Sequence, residues 1–210
     1  MRADAQRNAE KLRTAAAELF QERGLKVSLK EIARRAGVSH GTLYNLYGGR
    51  EALIDEVVTE LTADRLTEVA EHALSVEDAW EGFAYYVEKV CELQATGPAV
   101  ADVVSGSFPR AERLMALCSR TQGAAAEVTE RAQRAGTLRP DFTKEDLLLV
   151  FATNAALARA AADAAPDTWR RAIGFFLDGL RTEAVRDPLG TAPPTPQQVY
   201  DVMGRLVGAS

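Results

Sequence analysis

The sequence predicts an all-α protein of two unequal helical parts, and three observations carry that prediction. Apolar residues recur at the helical spacing of about 3.6 over nearly the whole chain, while the alternation of a half-buried strand is almost absent. Ala, Leu, Glu and Arg dominate the composition. The interruptions are residues that end or start helices: Gly24, Gly37, Gly48-Gly49, Gly97-Pro98, Gly136, Pro140 and Pro166. With 210 residues the chain is ample for a substantial buried core.

Taken in order, a first helix is expected from about Asp4 to Arg23, with Leu12, Ala16, Leu19 and Phe20 on one stripe and Gly24 as a left-handed terminator. Ser28-Leu29-Lys30-Glu31 reads as a capping box that opens a short second helix ending by Arg35. Ala36-Gly37-Val38 is a tight turn in which Gly37 takes the positive φ that a side chain resists. Ser39 caps a third helix running to about Leu46, and Arg50 opens a long fourth helix with Leu53, Val57 and Leu61 in register. Beyond it, Ser75 is expected to cap a helix carrying Trp80, Phe83, Ala84, Val87, Val90 and Cys91 on one side. A short apolar piece, Ala99 to Val104, precedes a long helix from about Pro109 to Ala135. Two helices with dense apolar faces follow, Thr143 to about Asp163 and Pro166 to about Val185. A proline-rich linker over 187–194 leads to Thr195-Pro196, which opens a last amphipathic helix using Val199, Val202, Met203, Leu206 and Val207.

Composition excludes several classes. No apolar run approaches the roughly 20 residues that cross a bilayer, and Met1-Arg2-Ala3-Asp4 is no secretory leader. Cys91 and Cys118 lie far apart in apolar helical patterns, which fits a reducing cytoplasm. Neither His40 nor His72 forms a triad or base with a nearby nucleophile, so an enzyme is not expected. Cys91, Cys118 and His72 lack metal-ligand spacing, so neither a metal nor a cofactor is expected. The net charge of −5 hides an asymmetry: residues 1–50 hold ten Lys or Arg against five Asp or Glu, net +5, whereas residues 51–210 hold fifteen against twenty-five, net −10. The basic end is the candidate polyanion binder, and an acidic remainder favours approach to DNA with that end first.

Within that basic end, residues 28–47 place a helix, a three-residue turn and a second helix where small Ala33 permits close approach. Ile32, Val38 and Leu43 fill the wedge between them, Gly37 makes the corner, and the outer face of the second helix is left to enter a major groove. Ser39, His40, Gly41, Thr42, Tyr44 and Asn45 on that face suit phosphate, a thymine methyl or base edges.

The run from Ser28 to Tyr44, followed by Tyr47-Gly48-Gly49-Arg50-Glu51-Ala52-Leu53, resembles the TetR family of bacterial transcriptional regulators over about residues 8–58. The resemblance implies that the third helix reads the major groove and that Lys30, Ser39, Thr42, Tyr44, Tyr47 and Arg50 touch DNA, mostly its phosphates. Arg50 also has an independent reason, since its cation and the adjacent amides at a helix start can both face a phosphate. Leu46 stands where the family often has histidine or another polar residue, and Asn45 also varies, so the operator sequence is not legible here; Tyr47 replaces a common phenylalanine.

The same resemblance implies a homodimeric repressor with three parts: a three-helix DNA-binding domain over 1–50, a helical effector-binding and dimerisation domain over 51–186, and a linker with a C-terminal helix over 187–210. The apolar faces of Leu147, Phe151, Ala155, Ala158 and Ala162 and of Trp169, Ile173, Phe176 and Leu180 are expected to pair with those of a second copy. A small-molecule effector is expected among Trp80, Phe83, Tyr86, Val87, Cys91, Phe108, Met115, Cys118, Phe151 and Asn154. The other reading is a DNA-binding regulator without a small-molecule effector, controlled by a protein partner.

Overall fold

The structure, a computed structural model, describes residues 2–105, 110–184, 187 and 189–208. Among these residues it is all helical apart from loops and one isolated antiparallel bridge between Leu138 and Arg181. The first helix, α1 (Arg2–Arg23), buries Leu12, Ala16, Leu19 and Phe20 and ends where Gly24 takes a φ of 73°. Two short helices follow, α2 (Leu29–Ala36) and α3 (His40–Tyr47), and then α4 (Arg50–Ser75). At 26 residues α4 is about 39 Å long. It touches α1 and α3 near its start and runs on to pack against two further helices, α5 (Ala79–Thr96) and α7 (Glu112–Arg134). Between those lies the short α6 (Pro98–Ser105), packed on α1 and α5. The chain continues through α8 (Lys144–Ala161), α9 (Thr168–Leu180), a 3-10 turn at Thr182–Ala184 and α10 (Pro196–Gly208). No described helix is long and apolar enough to cross a membrane.

One apolar cluster runs without a break from Leu12 to Leu180. Two polar ties fix the long helices within it. The Arg131 guanidinium on α7 donates to the carbonyls of Leu74 (2.9 Å), Val76 and Glu77 (2.7 Å), sealing the corner where α4 hands over to α5. At the other end, Asp55 of α4 accepts from the Leu114 N–H at 2.8 Å and Glu51 from the Arg110 N–H at 2.8 Å. Asp55 thus satisfies an orphan amide in the first turn of α7, which has no side-chain cap of its own, Glu51 holds the chain just ahead of it, and anions are favoured at a helix N-terminus.

Several expected boundaries move, each for a local reason. Ser75 does not cap α5: it is still in the last turn of α4 and donates to the His72 carbonyl at 2.8 Å, while Asp78, in an extended conformation, accepts from the Glu81 N–H at 2.9 Å. The box at Ser28 is half made. Ser28 accepts from the Glu31 N–H at 3.2 Å, but the Glu31 carboxylate turns to Arg23 instead of reaching back to the cap. A complete box stands at α8, where Thr143 and Asp146 bond each other's backbone amides at 2.9 and 3.3 Å. Helix α7 starts at Glu112, and the expected start at Pro109 falls outside the described residues. Helix α9 is shorter than expected because Arg181 turns extended to meet Leu138, with Arg139 N–H donating to the Leu180 carbonyl at 3.0 Å and Thr182 N–H to that of Thr137 at 3.1 Å. The linker is tied at Leu189, whose N–H donates at 3.0 Å to Asp141. The Arg139 guanidinium, together with that amide, holds the Asp141 carboxyl well below the usual carboxylate range.

The largest correction concerns the expected pairing surface. Leu147, Phe151, Ala155 and Ala158 on α8, and Trp169, Ile173 and Leu180 on α9, are buried inside one subunit, and Phe176 is half-buried against Phe142 with ring centroids 6.1 Å apart. Of the nine only Ala162 is exposed. Helices α8 and α9 pack on each other and on α5, so these dense apolar faces build the subunit's own core.

Candidate nucleic-acid interface and cavity

The geometry of α2, turn and α3 follows from a few local rules. Ile32 and Ala33 on α2 and Leu43 on α3 are buried against each other and α1, and Val38 is half-buried at the corner. Gly37 sits at φ 67° and ψ 31°, the left-handed conformation that lets the Val38 N–H donate back to the Ala33 carbonyl at 3.0 Å. Ser39 then caps α3 by accepting from the Thr42 N–H at 3.0 Å, and the two hydroxyls share a hydrogen bond of 2.8 Å. With Leu43 turned inward, the opposite face carries Ser39, His40, Gly41, Tyr44 and Asn45 exposed and Thr42 half-exposed. Tyr44 is 50% exposed, an unusual place for an aromatic ring, and leans on the His40 ring at 5.2 Å. Lys30 on α2 is exposed as well.

Charge pairing clears the way for a polyanion. All five carboxylates of residues 1–50 are engaged by arginines: Asp4 by Arg7 at 2.6 Å, Glu10 by Arg13, Glu18 and Glu22 by Arg35 at 3.0 and 3.2 Å, and Glu31 by Arg23. The hydrogen bond from Arg23 lowers the Glu31 pKa. Helix α3 itself holds no Asp or Glu, so its outer face meets phosphates with no fixed negative charge of its own.

Two expected DNA contacts face inward. The Arg50 guanidinium is half-buried and donates through Nη1 to the Val27 carbonyl, tying α4 to the α1–α2 connection; burial lowers its pKa, against the pull of the Asp102 carboxylate. The Tyr47 hydroxyl donates to the Ala9 carbonyl at 3.4 Å, and burial pushes its pKa up to about 12. Both side chains therefore set the position of α3 and α4 relative to α1.

Between the middle helices lies a cavity of about 340 Å³. Leu66, Tyr86, Val90, Val103, Leu147 and Phe151 make much of its apolar wall, Met115 and Cys118 bring sulfur from α7, and Thr121, Gln122, Lys144 and Glu145 supply polar groups. Pro196 and Val199 of α10 close one side. Four of the expected effector residues thus line the cavity: Tyr86, Met115, Cys118 and Phe151. The Tyr86 hydroxyl donates to the Thr121 carbonyl at 3.0 Å. Trp80, Phe83, Val87 and Cys91 do not line it; they are buried core, with Phe83 set edge-on to Phe142 at 5.9 Å. Asn154 is an internal bridge from α8 to α5, donating to the Cys91 carbonyl at 3.2 Å and to Gln94 Oε1 at 2.9 Å. Phe108 falls outside the described residues. The sequence reading missed the polar rim and α10, because side chains around a void show the same periodicity as those in full contact.

Two family models match the chain: bacterial regulatory proteins of the tetR family over residues 12–57, and the C-terminal domain of SbtR-like transcriptional regulators over residues 77–182. The chain belongs to the TetR family. A TetR transcriptional regulator from Streptomyces coelicolor is 28% identical, with a TM-score of 0.50 over 82% of this chain and 97% of that one. The regulator FadR from Bacillus subtilis, solved in complex with stearoyl-CoA, shares the fold at 15% identity, with a TM-score of 0.61 over 85% of this chain and all of that one (100%). The uncharacterized HTH-type transcriptional regulator YvdT of Bacillus subtilis (strain 168) is 33% identical over 72 residues, a stretch that spans 34% of this chain and 37% of YvdT. As a TetR-family member the chain is a transcriptional regulator with an N-terminal helix-turn-helix, not an enzyme.

Proposed function

We propose that two copies of this TetR-family chain repress transcription by holding a pseudo-palindromic operator, one α3 in each of two successive major grooves, and that a small, mainly apolar molecule in the cavity releases them. The observation that carries this reading is the outward face of α3: Ser39, His40, Gly41, Tyr44 and Asn45 stand exposed while Leu43 anchors the helix to the core. In this reading residues 1–50 are the reading head, 51–186 the body that pairs and binds effector, and 187–210 a tail, with Lys30 and Thr42 contacting phosphate. Pairing uses what α8 and α9 leave open. Thr153, Ala156 and Ala160 are exposed along one face of α8, and Arg171, Phe175 and Gly179 along one face of α9. Phe175 is 63% exposed, and small neighbours let two helix pairs approach closely. The cavity volume is within the range of small-molecule sites, and its wall suits an apolar body with one polar end near Gln122, Lys144 and Glu145.

Selection of bound duplexes from a random library is expected to return an inverted repeat with half-sites roughly 34–36 Å apart, carrying two chains per duplex by native mass spectrometry. A selected motif without two-fold symmetry, or one chain per duplex, would overturn the operator model. Apolar compounds that raise the melting temperature are expected to release that duplex, and stabilising compounds that leave it bound would remove the effector part.

A further inference from the structure

Helix α6 carries a buried carboxylate that belongs to neither the reading face nor the cavity. Asp102 is 8% exposed, and its Oδ2 accepts a 2.7 Å hydrogen bond from the N–H of Leu25, 77 positions earlier in the chain. That amide has a usual partner. Once a glycine in the left-handed conformation ends a helix, the next N–H ordinarily bonds back to a carbonyl of the helix's own last turn. Here Gly24 takes that conformation at φ 73°, yet the Leu25 N–H leaves α1 and donates across to α6. The Gly24 N–H still closes the end of α1 on the Phe20 carbonyl at 2.9 Å, but the donor that would add the second closing bond is taken by a carboxylate of another helix, through a charge-assisted bond.

The surroundings show how specific the contact is. A Cβ on Gly24 would stand 2.3 Å from Asp102 Oδ2 and 3.5 Å from Pro98 Cβ, so only a bare α-carbon lets the carboxylate come this close. A negative group at a helix C-terminus is electrostatically disfavoured. It is offset by the Arg159 guanidinium of α8 at 3.4 Å and by the half-buried Arg50 cation, whose charge it also supports. The next residue, Val103, forms part of the cavity wall, so one turn of α6 faces both the cavity and the head.

We propose that Asp102 is the positioning residue that fixes the DNA-reading head on the body of each subunit, and that a cavity filled beside Val103 loosens the head by drawing Asp102 off the Leu25 amide. The second half rests on the proposed effector role of the cavity; the first does not.

The test uses the full-length protein and its selected duplex. Asp102→Ala is expected to weaken duplex binding at least fivefold and to speed hydrogen exchange of the Leu25 amide at least tenfold, with the circular dichroism spectrum unchanged. Asp102→Asn, which keeps an acceptor oxygen, is expected to restore most of both. Gly24→Ala gives an independent break and is expected to match Asp102→Ala, whereas Gly136→Ala, at φ 72° with no atom within 4 Å of its added Cβ, takes similar backbone strain and is expected to leave duplex binding within twofold. Unchanged duplex affinity and Leu25 exchange in Asp102→Ala would overturn the positioning role. Should Asp102→Ala fail to fold, Gly24→Ala and Gly136→Ala decide it, and equal affinities in those two overturn it. For the second half the probe is N-ethylmaleimide on the cavity-lining thiol of Cys118, with Cys118→Ser as the unlabelled control. The adduct is expected to weaken duplex binding at least tenfold in the wild type and less than twofold further in Asp102→Ala. A full tenfold loss in both would reject Asp102 as the route while keeping the cavity as effector site; no loss in the wild type would reject the cavity reading and leave Asp102 judged by its own variants.

Discussion

At Gly82 an added Cβ would stand 2.5 Å from the carbonyl oxygen of Ala73, so a missing methyl sets how closely α5 approaches α4. Backbone cannot give way as a flexible side chain can, and Gly82→Ala is expected to lower unfolding stability by about 1–3 kcal/mol, read by urea denaturation. Equal midpoints would show that the corner has slack. Gly37 is a different case. Beyond its own chain neighbours no atom of the described residues lies within 4 Å of its virtual Cβ, so the cost of a side chain there is the positive φ alone. Gly37→Ala is expected to lose about 1 kcal/mol and Gly37→Asn less, since asparagine tolerates the left-handed region; an alanine as good as glycine would contradict the turn geometry. The two positions also differ in legibility. Gly37 was readable because its constraint comes from the three-residue turn around it. Gly82, like Arg131 with its three carbonyls on the α4–α5 corner, answers to residues that only the fold brings near.

At the scale of elements, helix existence was legible and helix ends were less so, for a reason that caps make plain. Ser75 and Asp78 are three residues apart and both are good cap types; the choice between them rests on where α4 ends, and there Arg131 takes the carbonyls of Leu74, Val76 and Glu77. The box at Thr143 and Asp146 forms completely, whereas Ser28 and Glu31 have the same kind of local pattern and form only half of it because Arg23 offers Glu31 a charge. Thr143→Ala is accordingly expected to cost about 1 kcal/mol, while Ser75→Ala, exposed and no cap, is expected to stay within about 0.5 kcal/mol of wild type in the same denaturation assay. A reversed order would return the cap to Ser75. The inward turn of Arg50 and Tyr47 belongs here too: a side chain at a helix start can face a ligand or its own fold, and the sequence carries no sign of which.

For the whole molecule, charge and shape act together. The basic first quarter of the chain carries an α3 face with no carboxylate, and the acidic remainder keeps the other surfaces away from a polyanion. The division of apolar surface was harder to read. Leu147, Phe151, Trp169 and Ile173 look from sequence like a pairing surface, yet all four are buried in the subunit, Leu147 and Phe151 against the cavity, and leave Phe175 outside. A periodic apolar stripe records that a face is covered and is silent on whether its own subunit, a second copy or a ligand covers it. The reading of the head does not share that ambiguity, because Leu43 alone on α3 is buried and the face opposite it is exposed at His40, Gly41, Tyr44 and Asn45 and half-exposed at Thr42.

Fluorescence anisotropy of the selected duplex with wild type and with the double substitution Tyr44→Ala, Asn45→Ala tests the α3 face most directly. Both side chains are exposed and neither packs in the core, so the variant keeps its fold. The expected result is a loss of at least roughly 30-fold in affinity for the selected sequence, at about 1–3 kcal/mol for each of at least two base contacts removed, with binding to unrelated duplex preserved at low salt. An unchanged preference for the selected sequence in the variant would contradict α3 as the element that reads DNA.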